Sequence, residues 1–93
     1  MDEHEARLKR LRMRSWRRGT KEMDLILGPF ADSELPDLSP RDLDLYEAVL
    51  AENDQDLYPW ITARMAGRQL GPDHISPMLD RVARFAENRL ARK

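Results

Sequence analysis

The chain contains no cysteine, which removes a thiolate nucleophile and a Cys-type zinc site and turns attention to its histidines, carboxylates, serines and arginines. His4 and His74 stand far apart, and neither has a His or Cys neighbour at ligand spacing, so both read as solvated surface residues. Asp42, Asp44 and Glu47 could line one helix, but an exposed charged face accounts for them without catalysis. Ser15, Ser33, Ser39 and Ser76 are available for a Ser–His–Asp arrangement, yet their positions read as helix surface, loop and helix caps. The four glycines are spaced as helix punctuation and form no phosphate-cradling loop. The expectation is therefore no catalytic residue, no metal site and no cofactor bound by the chain itself.

Two features remain. The first is a basic segment that carries Arg7, Lys9, Arg10, Arg12, Arg14, Arg17 and Arg18 around a poor apolar stripe of Leu8, Leu11, Met13 and Trp16. A nucleic-acid module would suit that charge, but such modules are basic overall and this chain carries a net charge of −1. A solvated helix, or a face for an acidic protein surface, are the other readings. A small helical enzyme would need these arginines to converge on one core pocket, whereas they are distributed around the helix. The second feature is the corner Arg18-Gly19-Thr20-Lys21-Glu22. Gly19 permits a tight reversal through positive φ and the close approach of another backbone. Arg18 and Glu22 then project near the same turn, either as a local ion pair or as a two-signed recognition surface.

The elements that must position these residues read as helix throughout, since runs with strand alternation are missing from the sequence. A first helix is expected over residues 3–18, with Gly19 as its C-cap glycine. Thr20 caps a second helix whose Met23, Ile26, Leu27 and Phe30 recur at core-facing spacing. Gly28-Pro29 predicts a kink or an early end there, followed by a polar connection over residues 32–38. Ser39-Pro40 starts a third helix ending near Asn53, and Asp54 or, better, Asp56 caps a fourth that Gly67 ends. Ser76-Pro77 repeats the cap-then-proline signature for the last helix, with Arg89, Leu90, Arg92 and Lys93 toward its end. These elements predict an all-α, small antiparallel five-helix bundle, a single helical domain over residues 1–93 whose last residues, about 91–93, fray.

Charge is segregated along the chain. Residues 1–24 hold eight basic and five acidic side chains, residues 25–66 two and nine, and residues 67–93 six and three. Either the basic ends fold against the acidic middle, or the polarity steers a partner. The longest charge-free stretches, such as residues 25–31, fall far short of the roughly 20 apolar residues a bilayer requires, so no membrane insertion is expected. The acidic start lacks the basic character of a signal peptide, and a cytoplasmic, bacterial setting is the expectation.

Arg18-Gly19-x-x-Glu22, followed by Met23-Asp24-Leu25, resembles the RGxxE signature of the succinate dehydrogenase assembly factor family. That family comprises the SdhE-type flavinylation factors and the related mitochondrial assembly factor 2. The resemblance extends through Leu45-Tyr46-Glu47 and Leu50 to Asp54-Gln55-Asp56-Leu57-Tyr58-x-Trp60-Ile61, over about residues 7–64. It implies a non-catalytic factor that binds the flavoprotein subunit of succinate dehydrogenase and promotes covalent attachment of FAD to a histidine of that partner. Fumarate reductase flavoprotein is a further candidate client, and nucleic acid is not a partner. The implied partner-binding residues are Arg18, Gly19, Glu22 and Asp24. Alanine at Arg18 or Glu22 is accordingly expected to leave the fold nearly unchanged. Pro29 and Pro59 depart from the resemblance, and the last 25 residues carry no matching motif.

The expected core is Ile26, Leu27, Phe30, Leu43, Tyr46, Leu50, Leu57, Trp60, Ile61, Leu79, Val82 and Ala86. Leu50→Ala is predicted to cost about 2–5 kcal/mol in denaturant unfolding. A loss under about 1 kcal/mol would remove Leu50 from the core.

Overall fold

The computed structural model describes residues 2–91, with side chains through residue 89. The expectations for Leu90, Arg92, Lys93 and the fraying tail lie outside the described residues. Among the described residues there are five α-helices, two short 3₁₀ turns and no strand. No helix among them is long and apolar enough to cross a membrane.

Helix α1 spans Glu3–Trp16, begun by Asp2, whose carboxylate accepts the Glu5 N–H at 2.8 Å. It stops two residues short of the expected end. Arg17 leaves the helix at φ −123° and ψ 48°, and Gly19 is not in the left-handed region, which among the described residues is held by Gly67 and Gly71 alone. Helix α2 spans Lys21–Glu34, with Thr20 Oγ1 accepting the Met23 N–H at 3.3 Å as expected of its cap. Pro29 does not end α2. The carbonyl it leaves without a helical donor is that of Leu25, a residue 54% exposed, so water can take the place of the missing N–H.

Gly28, beside that proline, is buried for a separate reason. A Cβ at Gly28 would overlap the indole of Trp16, which lies across α2 and donates from Nε1 to Asp32 at 3.2 Å. The stretch expected to be a polar connection is instead the end of α2 and a 3₁₀ turn, Leu35–Asp37, from which Leu35 and Leu38 are buried.

Helix α3 spans Pro40–Leu50, begun as expected by Ser39, whose Oγ accepts the Asp42 N–H at 3.1 Å; it ends three residues early. Helix α4 spans Asp54–Met65 with Asn53, not Asp54 or Asp56, at its N-cap, and it accommodates Pro59 past its first turn. Pro59 and Gln55, the residue whose carbonyl lacks its donor, are both exposed, so α4 escapes the penalty as α2 does. Gly67, at φ 83°, closes α4 in a Schellman arrangement: Arg68 N–H to Ala63 O at 2.9 Å, Gly67 N–H to Arg64 O at 3.1 Å. Helix α5 spans Ser76–Ala91. The 3₁₀ turn Asp73–Ile75 feeds directly into it, so Ser76 already has helical angles and is not the extended cap that Ser76-Pro77 suggested.

Buried side chains from all five helices form one cluster. Of the expected core, all but Ile26 and Trp60 are buried, and those two pack against it half-buried. Phe30 sits at the centre, stacked on Tyr46 at 5.3 Å and meeting Phe85 edge-on at 5.5 Å. Ser15, expected on a helix surface, is fully buried: its hydroxyl donates to the Leu11 carbonyl at 2.7 Å and lies 2.6 Å from the Tyr46 hydroxyl. That contact satisfies the one polar atom of the buried phenol.

Burial pushes the Tyr46 phenol up from 10.0 to about 12, with the Ser15 hydrogen bond acting in the opposite sense. A raised acid pKa means the unfolded chain loses this proton first, so the contribution is intact below pH 10 and drains away as pH climbs toward 12. The slope is about 1.4 kcal/mol per pH unit between those limits. Thermal melts across this range should show Tyr46→Phe less stable than wild type at neutral pH but with a shallower alkaline decline. Parallel declines would contradict the burial of an ionisable phenol.

Candidate functional site

Arg18 belongs to the interior of the corner, not to its surface. Its side chain is 11% exposed, and its Nε donates to Asp54 Oδ1 at 2.7 Å. Its two terminal nitrogens reach past α3, donating to the carbonyls of Leu50 at 2.8 Å and Glu52 at 2.7 Å. The guanidinium fork thus satisfies orphan carbonyls at the end of one helix while pairing with the first residue of the next. The second oxygen of Asp54 accepts the Gly19 N–H at 2.7 Å, and Asp24 accepts the Arg18 N–H at 2.7 Å. The α1–α2 turn and the α3–α4 turn are bolted together through one carboxylate.

The Arg18–Glu22 ion pair, one of the two readings of this corner, does not form; Arg18's carboxylate partner is Asp54. Three of the four candidate residues therefore build the corner: Arg18 by its side chain, Gly19 by its amide and Asp24 by its carboxylate. Gly19 is not held to glycine by a positive φ, and its surroundings are close without being closed. A Cβ there would stand 3.6 Å from Asp54 Oδ2, so a methyl fits and a longer side chain spreads over the corner. Glu22 is different. It is exposed in the first turn of α2, and among the described residues it has no hydrogen-bond or ion-pair partner.

Sequence reasoning missed the role of Asp54, which it took as a possible helix cap and as part of the resemblance but not as a partner of Arg18. The signal was present, since Arg18 and Asp54 open the two motif stretches, but nothing local says that they touch. It also passed over Tyr58, 42% exposed on α4. Glu22 and Tyr58 together border two hollows. One is an apolar groove of about 400 Å³ lined also by Leu25, Ile26, Met65, Ala86 and Arg89. The other is a shallower hollow shared with Thr20, Asp54, Gln55 and Pro59.

A second buried arginine repeats the device. Arg64 is 3% exposed in its side chain and pairs with Asp80 at 2.7 Å while donating to the Leu70 carbonyl and to Ser76, joining α4 to α5. Elsewhere the basic ends do fold against the acidic middle. Arg7 is shared by Asp44 and Glu47 at 2.6 and 3.0 Å, which holds its pKa above the ordinary value, and Arg81 lies between Glu34 and Asp42. Among the described residues no group of three or more side chains is placed to hold a metal ion.

Residues 9–86 match a family model described as the flavinator of succinate dehydrogenase. That match extends past the motif stretches into α5. Among curated proteins, the chain is 35% identical over 82 residues to succinate dehydrogenase assembly factor 2, mitochondrial, of Candida glabrata, covering 86% of this chain and 53% of that protein. It is 32% identical over 90 residues to the protein of the same name in Yarrowia lipolytica, covering 95% and 61%. With that of Mycosarcoma maydis it shares 40% identity over 60 residues, 64% of this chain and 25% of that protein. The chain thus spans between a quarter and about three-fifths of the length of these relatives. The expectation of a bacterial cytoplasmic protein is overturned by these comparisons, whose proteins are fungal and named as mitochondrial.

The geometry separates two alanine variants that the sequence treated alike. Arg18→Ala strands Asp54 and two carbonyls, and is predicted to cost about 3 kcal/mol, or roughly 12–24 °C in Tm. Glu22→Ala should stay within about 0.5 kcal/mol of wild type. Equal melting temperatures for the two would mean that the Arg18–Asp54 bolt contributes nothing to the fold.

Proposed function

Because the chain belongs to the family of flavinators of succinate dehydrogenase, we propose that it binds the flavoprotein subunit of that enzyme and promotes covalent attachment of FAD to it. In this reading the flavin belongs to the partner and the chain contributes no catalytic group. The family match over residues 9–86 supports it, and so does the design of the corner. One observation carries the site assignment: Glu22 presents a free carboxylate on a turn that is fixed from behind by Arg18, Asp24 and Asp54. Because the turn is already fixed, binding there need order only the Glu22 side chain and not the backbone that carries it.

The proposed division of labour assigns recognition to Glu22 and the exposed backbone at Gly19. Arg18 and Asp24 hold those two in place. Promotion of flavin attachment requires no contact with the flavin. A binder that prefers one arrangement of the flavoprotein raises the population of that arrangement by its differential affinity, and the partner's own histidine and flavin do the rest. Fumarate reductase flavoprotein is the second client that this reading allows.

The test is co-expression with the flavoprotein subunit in cells lacking their own factor, followed by in-gel fluorescence of covalent flavin. Wild type should give a fluorescent flavoprotein band. Glu22→Ala and Gly19→Leu should abolish or sharply reduce it while keeping wild-type helicity by circular dichroism. Undiminished fluorescence from both variants would overturn the site assignment. A wild-type chain that yields no more fluorescence than an empty vector would overturn the function.

A further inference from the structure

Five of the arginines on α1 and just past its end divide into two sets. Arg7 and Arg18 are spent on carboxylates of this chain. Arg10, Arg14 and Arg17 are exposed and line one side of a groove of about 430 Å³, together with Met13, Arg18 and the edge of Leu50. The sequence suggested arginines spread around the helix, but residues 10, 13 and 14 share a helical face and Arg17 continues it just past the helix end. Among the described residues only Arg14 of these three has an acid in reach, at 3.9 Å from Glu47, whose other oxygen is already on Arg7. Met13 adds an apolar surface, 43% exposed, to the middle of the stripe.

We propose that this stripe is a second contact surface, which receives an acidic segment of the flavoprotein subunit carrying an apolar side chain that seats against Met13. The inference rests on the function proposed above and extends its footprint from the corner onto α1, since Arg17 and Arg18 line both this groove and the hollow around Gly19. Charge complementarity selects the occupant: three guanidinium groups lacking full counter-charges favour carboxylates, and arginine pairs with them in a bidentate fork. An extended nucleic-acid backbone fits less well. Glu47 lies 3.9 Å from Arg14, and Glu52 and Asp54 line the adjoining hollow with Arg17 and Arg18, so a long phosphate chain continuing past the stripe would meet acids that a short acidic segment need not reach. Charges at such a position act mainly on the rate of association and on its dependence on salt, whereas the corner governs how long the complex lasts.

The experiment measures association of the full chain with the purified flavoprotein subunit by surface plasmon resonance across a series of salt concentrations. Wild type should associate quickly at low salt and progressively more slowly as salt rises. The combined variant Arg10→Gln, Arg14→Gln, Arg17→Gln should fold normally, associate about tenfold more slowly at low salt, and lose most of the salt dependence. Met13→Ser should weaken binding by shortening the lifetime of the complex alone, with the salt dependence of association kept, because it removes the apolar contact and leaves the charge of the stripe unchanged. Wild-type rates and salt slope from the combined variant, with Glu22→Lys still abolishing capture, would overturn the stripe and leave the corner standing. Absence of any capture by wild type would overturn both. Salt-dependent binding of wild type to duplex or single-stranded RNA, lost in the combined variant, would instead assign the stripe to nucleic acid and overturn the proposal.

Discussion

The Asp54 carboxylate is the point on which this fold turns. One oxygen holds the Arg18 guanidinium and the other the Gly19 amide, so a single side chain at the start of α4 fixes the turn between α1 and α2. Arg18 in turn spends two further donors on the carbonyls of Leu50 and Glu52, at and just past the end of α3. Four helix ends meet in one hydrogen-bonded knot that is nearly shielded from water. In such a place an ion pair is satisfied on all sides, and removing either partner leaves a charge with nowhere to go. Glu22 can be spared for an outside partner because the corner does not need it.

Arg64 shows that the arrangement is a habit of this chain and not an accident of one motif. There too a guanidinium crosses from one helix to the connection before the next, taking two backbone carbonyls and one carboxylate. Short helices leave many unpaired carbonyls relative to their length, and a chain of 93 residues has little apolar area with which to compensate. Arginine supplies five donors from a single side chain and reaches several helix ends at once. The high charge content is therefore partly structural: the acidic middle and the basic ends close on each other, and the cations left over mark where the chain faces outward.

Local signals in the sequence served unevenly: Gly19, Asp56 and Ser76 do not take the cap roles their types suggest, because the helices start or stop a residue or more away from them. Thr20, Ser39 and Gly67 act through neighbours two to four residues away, and each does what its type and position suggest. Ser15 could not be placed the same way, because its reason for burial is Tyr46, 31 residues on. Leu35 and Leu38 sit in a polar-looking stretch and are buried only because the chain there turns back over the core. Pro29 and Pro59 were judged by their effect on an isolated helix, whereas both fall where solvent can replace the lost donor. Resemblance located the candidate site, but four residue names could not say that Arg18 faces inward and Glu22 outward. That distinction depends on Asp54, 36 residues from Arg18 in sequence, and no local pattern announces their contact.

The indole of Trp16 lying across Gly28 ties the identities of two positions together. No side chain can be added at 28 while the ring occupies that space, and a smaller residue at 16 would leave the backbone of α2 uncovered and Asp32 without its indole donor. The effect of a change at either position thus depends on the residue at the other. A mutational path from Gly28 to any larger residue must pass through a change at Trp16 first, or through a poorly packed intermediate. The pair is epistatic by geometry, and sequences that drift here are constrained to move through both positions together.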